Sequence, residues 1–248
     1  MNTYRTGLRL LFVLFVSALC LAASAEQRTE RFDTDPKWDG YDNRSPLPLE
    51  TATQDFGYSP DTDFIGNGTG EVVGIIQGAG DPAWYGKPIP TLTLDDELKA
   101  SGKIRLSDPY NDSHFQVGFF NSKTTEGWRT PNTINLRIAG RGDEEGKPVF
   151  IAFADYLTKT WRAGGLAVGG IDPKTGRERA LHFDCGETVH TWSIHYVPND
   201  DGSGSITGTI DDESVTIQMG SEHRVEGASF DRFGLINAMK YNQGATHV

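Results

Sequence analysis

Two tryptophan–arginine pairs, Trp128–Arg129 and Trp161–Arg162, are the residues of this 248-residue chain best suited to chemistry on a ligand. An indole offers a flat apolar face on which the C–H side of a sugar ring packs, and a neighbouring guanidinium hydrogen-bonds hydroxyls or a carboxylate. Both pairs stand beside glycines, as strand ends and loops do. Trp84–Tyr85, within Asp81–Pro82–Ala83–Trp84–Tyr85–Gly86, forms a third aromatic loop. A structural role competes with this reading, because tryptophan is highly buried on average and a following arginine can cover its ring as a cation–π partner.

Nucleophilic and metal chemistry find little support. Cys185 stands alone once the leader is set aside, so the fold must rest on packing, and no Cys–His signature surrounds it. The six histidines are dispersed with no zinc-ligand spacing. Oxygen-rich loops at Asp61–Thr62–Asp63, Asn111–Asp112 and Asn199–Asp200–Asp201 could hold a structural calcium, although none has EF-hand spacing; no cofactor is expected. Acidic triplets occur at Asp95–Asp96–Glu97, Asp143–Glu144–Glu145 and Asp211–Asp212–Glu213. The last two read as turns, which give no defined spacing for a paired acid and nucleophile.

Residues 1–25 read as an export leader: Arg5 and Arg9, an apolar run, then Ala23–Ser24–Ala25 as the cleavage site. The run is too short to span a bilayer convincingly, so the expected destination is the periplasm or the exterior, without membrane insertion. The formal net charge is −11, and removing the leader takes two further positive charges away. With the remaining basic residues scattered, nucleic acid and anionic lipid are poor partners; a neutral or cationic one suits better.

The elements that must position these residues are strands. The chain has 29 glycines and 12 prolines, and beyond the leader no segment keeps a clean helical period. Candidate strands recur at the spacing of a sandwich or barrel, and residues 93–100 could add a helical turn or two. Residues 189–212 read as strand, polar turn, strand, with His190, Trp192, Ile194 and Tyr196 on one side and His195 on the other. In residues 133–140, Ile134, Leu136 and Ile138 share a face opposite Asn135 and Arg137. In residues 115–121, Phe115, Val117 and Phe119 oppose Gln116, Gly118 and Phe120. One sheet therefore has a packed face and a face carrying Asn135, Arg137, Gln116 and aromatic rings. Residues 26–248 are expected to form one domain.

Several blocks carry a resemblance: Phe32–Asp33–Thr34–Asp35–Pro36–Lys37–Trp38–Asp39–Gly40, Gly127–Trp128–Arg129–Thr130–Pro131–Asn132, Thr160–Trp161–Arg162–Ala163–Gly164–Gly165, His190–Thr191–Trp192 and Phe230–Asp231–Arg232–Phe233–Gly234. In this order the chain resembles exported jelly-roll proteins of the concanavalin A-like lectin/glucanase superfamily. The resemblance implies an all-β, two-sheet antiparallel sandwich that binds a polysaccharide or glycan, with Trp128, Arg129, Trp161, Arg162, Asn135 and Arg137 as ligand residues. The superfamily also contains polysaccharide lyases, glycoside hydrolases and adhesion modules. The glucanase pattern of carboxylates along one strand is missing here. A lyase would need a base, an acid and a cation for the uronate carboxylate, and His195, Tyr156 and Arg137 could supply them if they converge. Proteins of this kind commonly add one more closing strand after the segment at residues 230–237. The chain stops near Val248, so that last C-terminal strand is expected to be lacking, leaving the segment near Phe32 short of a partner.

Overall fold

Alternation of apolar and polar side chains runs along most of the chain, and the backbone follows it into seventeen strands among the described residues. The computed structural model describes residues 27–46, 53–66, 68, 70–109, 113–124, 130–238 and 243–247; Arg31–Val248 forms one unit. In chain order the elements are β1 (Asp39–Tyr41), β2 (Arg44–Pro46), β3 (Thr53–Ser59), β4 (Glu71–Gly78), β5 (Trp84–Thr93), β6 (Leu98–Ile104), β7 (Asp108–Pro109), β8 (His114–Phe120), β9 (Thr133–Gly142), β10 (Pro148–Leu157) and β11 (Ala163–Ala167). There follow β12 (Phe183–Asp184), β13 (His190–Pro198), β14 (Gly204–Ile210), β15 (Glu213–Met219), the single-turn α1 (Ser221–Arg224), β16 (Ser229–Asn237) and β17 (Gln243–His247).

The product is a jelly-roll β-sandwich. Its large sheet runs β1–β5–β16–β8–β9–β10–β11, with β12 also on β10; a second sheet runs β15–β14–β13–β6 and a third β2–β3–β4–β17–β7. All the strand pairs are antiparallel. The core forms where one face of the large sheet, with Phe115, Val117, Ile134, Leu136, Ile138 and Phe150, meets Ile194, Tyr196, Ile206 and Ile210 of β13 and β14; Phe56 and Ile76 of the third sheet join the same cluster. Trp192 is a core residue, stacked on Phe233 with centroids 6.4 Å apart. Tyr196 is fully buried and its hydroxyl donates to the Leu94 carbonyl at 2.6 Å. Cys185 is half-buried.

Four expectations need correction. Residues 93–100 hold no helix: Asp96 Oδ2 accepts from the Thr93 amide at 2.7 Å and from its hydroxyl, closing a turn from which β6 departs. Residues 30–34, which read from their sequence as a strand, form none, because Phe32 takes a left-handed φ of 60° that strand pairing does not accommodate. Of residues 179–183, which also read as a strand in the sequence, only Phe183 enters one. At the far end, Gln243–His247 is not an unfinished edge; β17 pairs with β4 on one side and β7 on the other. The leader at residues 1–25 lies outside the described residues.

The two layers approach closely at Gly208, where an added Cβ would stand 2.8 Å from Leu136 Cδ2 and 3.0 Å from Ala154 Cβ. Gly208→Ala should therefore overpack the sandwich and cost about 1–3 kcal/mol. A fall in the urea midpoint without a change in slope checks this; an unchanged midpoint would show that the layers can part there.

Candidate functional site

The large sheet has a second face, turned away from the core cluster, and its registers place a row of polar and aromatic residues there. Gln116 on β8 stands opposite Arg137 on β9, which stands opposite Phe153 on β10. One step along, Gly118, Asn135 and Asp155 align in the same way. On the other flank of β8, Trp84 of β5 faces Ile236 of β16, which faces Gln116. Trp84, Phe120 and Ile236 pack together as a cluster separate from the main core. Residues paired across antiparallel strands share a face, so all of these belong to one surface.

Arg137 organises the centre of that surface. Its Nε donates to Asp155 Oδ2 at 2.7 Å, its Nη1 donates to His114 Nδ1 at 3.0 Å, and its guanidinium lies 3.9 Å from the centroid of the Phe153 ring. The Asp155 side chain is 1% exposed, and a carboxylate buried that deeply needs a cation in contact. Arginine can only donate, so His114 must present its Nδ1 lone pair and carry its proton on Nε2. The imidazole in this contact is therefore neutral, and the Arg137–Asp155–His114 cluster carries no net charge.

Beside this cluster stand polar atoms with no hydrogen-bond partner among the described residues. Asn135 is 2% exposed, and neither its Oδ1 nor its Nδ2 is bonded. Trp84 Nε1 and Arg232 Nε also lack acceptors, and both residues sit on the same face. Arg232 is otherwise held by Asp39 at 2.8 Å and lies over the Trp84 ring, on which Tyr41 stacks. Trp38 Nε1 and Thr62 Oγ1 are unbonded elsewhere. A buried amide left unsatisfied costs roughly 1–3 kcal/mol, so a side chain unbonded at both ends keeps its full capacity to donate and to accept. The face opens toward solvent at half-buried Phe153 and Arg137 and at exposed Gly165 on β11.

The proposed base, acid and cation do not converge. Arg137 is on the polar face. Tyr156 points into the sandwich at 2% exposure, its hydroxyl 2.7 Å from His223 Nδ1. Burial, with Glu222 and Asp155 adding to it, pushes the Tyr156 phenol up to about 12, so it holds its proton and is out of a ligand's reach. His195 lies on the far surface of the second sheet, 2.7 Å from Glu97. Three residues on three surfaces cannot share a substrate, and the trio is withdrawn.

Among the ligand candidates, Asn135 and Arg137 are brought together. Trp128 and Arg129 lie outside the described residues. Trp161 is exposed on the turn between β10 and β11, and Arg162, also exposed, donates from Nε to Glu226 at 3.1 Å. The acidic triplets stabilise turns: Asp143 accepts from the Glu145 and Lys147 amides, and Asp211 from His190 and Thr191. Among the described residues no three His, Cys, Asp or Glu side chains gather to hold a metal ion. His114, Asp155, Phe153 and Arg232 were missed. Asp155 alone left a trace, as a lone carboxylate inside the apolar run of β10.

No protein-family model and no curated protein matches the chain. Among solved structures it is similar to alginate lyase Aly36B, with TM-score 0.36 and 9% identity over 71% of this chain and 76% of that one. It is also similar to alginate lyase vAL-1 from a Chlorella virus, with TM-score 0.37 and 11% identity over 78% and 87%. A mutant of Aly36B in complex with an alginate tetrasaccharide gives TM-score 0.32 and 12% identity over 71% and 79%.

Two outcomes follow from the ionic network. Arg137→Ala would strand the Asp155 carboxylate and should cost about 3–5 kcal/mol in a denaturant titration; a loss below about 1 kcal/mol would mean the pair is dispensable. Tyr156 and Tyr196 are both raised by burial to about 12, against 10 for an ordinary phenol. Their stabilisation is complete below pH 10 and is lost as pH climbs from 10 through 12. Tyr156→Phe should flatten stability across that window; an unchanged alkaline profile would contradict the assignment.

Proposed function

We propose that this chain is an exported polysaccharide-binding β-sandwich that holds a glycan against the polar face of its large sheet. The observation that carries this reading is Asn135, buried, unbonded at both its oxygen and its nitrogen, and set beside Arg137 in a row with Gln116 and Phe153. Sugar hydroxyls donate and accept together, which is the complement an amide of this kind calls for, either directly or through a bridging water. Phe153 and the exposed Tyr41, backed by Trp84, add ring faces for the apolar side of a pyranose. The uncharged balance of the central cluster and the acidity of the chain favour hydroxyl recognition over capture of a strong anion. Export rests on the order of basic, apolar and small residues in positions 1–25. No helix among the described residues is long and apolar enough to cross a membrane.

A second reading, elimination on a uronate polysaccharide, is favoured by one arrangement: a guanidinium, an amide and an imidazole meet at Arg137, Asn135 and His114. These are groups that could neutralise a uronate carboxylate and carry protons. It predicts that alginate or polygalacturonate develops the ultraviolet absorbance of an unsaturated sugar end, and that His114→Ala abolishes it. No absorbance above a heat-killed control removes this reading and leaves binding untouched.

Affinity electrophoresis through gels containing soluble neutral or acidic polysaccharides tests the main proposal. The wild-type protein should be retarded on at least one. Asn135→Ala should weaken that affinity roughly fivefold, the equivalent of about 1 kcal/mol, without loss of melting temperature, because it removes an unsatisfied group. Retardation equal to that of the wild type would place the glycan elsewhere.

A further inference from the structure

We propose that Trp161 is a second, preorganised sugar-stacking platform at the end of the sandwich, acting apart from the polar sheet face. This rests on the reading that the ligand is a polysaccharide, but not on where along the large sheet it binds. Among the described residues Trp161 is the one exposed tryptophan, at 47%, while Trp84 and Trp192 are buried. Its backbone is left-handed, with φ of 76°, a conformation that costs a bulky L-residue stability and that glycine would take without strain.

A network holds that conformation. The Thr158 amide donates to the Arg162 carbonyl at 2.9 Å, and the Arg162 amide returns a bond to Thr158 Oγ1 at 3.0 Å. Glu226, from the loop after α1, accepts from Thr158 Oγ1, Thr160 Oγ1 and Arg162 Nε. The bond from Thr160, with those from Arg162 and Thr158, holds the Glu226 carboxyl below the ordinary carboxylate range. The Lys159 amide donates to Gly227 O at 2.9 Å, so the two loops form one stapled unit. Arg162 thus helps to position the turn.

The stapled unit adjoins an open cavity of about 860 Å³ lined by Lys159, Asn199, Asp200, Ser221, Arg224 and Val225. That volume suits a short oligosaccharide. Arg224 is committed to carbonyls of Leu94, Asn199 and Ser203 and to Asp95, so it shapes the wall. Among the described residues Lys159 has no ion-pair or side-chain hydrogen-bond partner, and it lines the cavity where it can meet hydroxyls or a carboxylate. Val225, 82% exposed, adds an apolar side chain to the cavity wall. An exposed indole on a braced turn, two residues along from the cavity-lining Lys159, is a pattern suited to a pyranose.

The experiment compares Trp161→Gly, Trp161→Phe and Asn135→Ala in affinity electrophoresis, with soluble alginate, polygalacturonate and a neutral β-glucan as probes. Trp161→Gly relieves the left-handed backbone, so its melting temperature should equal or exceed the wild-type value while retardation falls at least fivefold. Trp161→Phe should keep most of the retardation. If Trp161→Gly lowers the melting temperature, the indole is a packing element and the proposal fails. If Trp161→Gly binds like wild type while Asn135→Ala loses affinity, the platform fails and the sheet-face reading stands. If no probe retards the wild-type protein, both fall.

Discussion

A buried carboxylate governs this structure. Asp155 sits in the middle of β10 with its side chain almost wholly removed from water, and the Arg137 guanidinium, one row along on β9, offsets its charge. Side chains alternate along a strand, so a slip of one residue in the β9–β10 pairing would carry a charged group into the sandwich core. The ion pair therefore disfavours other registers as strongly as it favours this one. It fixes which face of the large sheet is apolar and which is polar, and it aligns His114, Gln116, Asn135 and Phe153 in consequence.

The same pairing limits what the face can do. Arg137 is clamped by Asp155, His114 and the Phe153 ring, so its charge is spent internally and its fork is held in one orientation. Asn135, in the adjacent row, is left with two unsatisfied atoms on rigid strands. A site of this kind favours directional hydrogen bonding over long-range attraction, which agrees with a chain of net charge −11. The hairpin that carries Asp155 also ends in the Trp161 turn, so a single pair of strands supports both the sheet-face row and the exposed indole at its tip.

Much of the fold could be read from the residues. Alternation in β8, β9 and β13 assigns Phe115, Leu136 and Trp192 to the core and Gln116, Asn135 and Arg137 to the opposite face, as the structure has them. That logic is local, and it failed where the answer was not. His195, Tyr156 and Arg137 are each chemically apt, but convergence depends on which sheet and which face carries each one, and strand periodicity does not say how sheets stack. Residues 93–100 look helical by composition, yet one Asp96–Thr93 bond makes a turn the better use of their polar groups. His114 and Arg232 gave no warning because their importance comes from cross-strand neighbours far away in sequence. The residues of the Trp161 turn were visible as a pair, but Glu226, 64 positions beyond Arg162, reverses the role of that arginine.

The most direct test of the central claim is an experimental structure of the protein with a retained oligosaccharide bound. This account predicts sugar density along the polar face, with a hydroxyl, or a water bridging to one, within hydrogen-bond distance of both Asn135 Oδ1 and Nδ2. Density confined to other surfaces, with the Asn135 amide still unbonded, would contradict it.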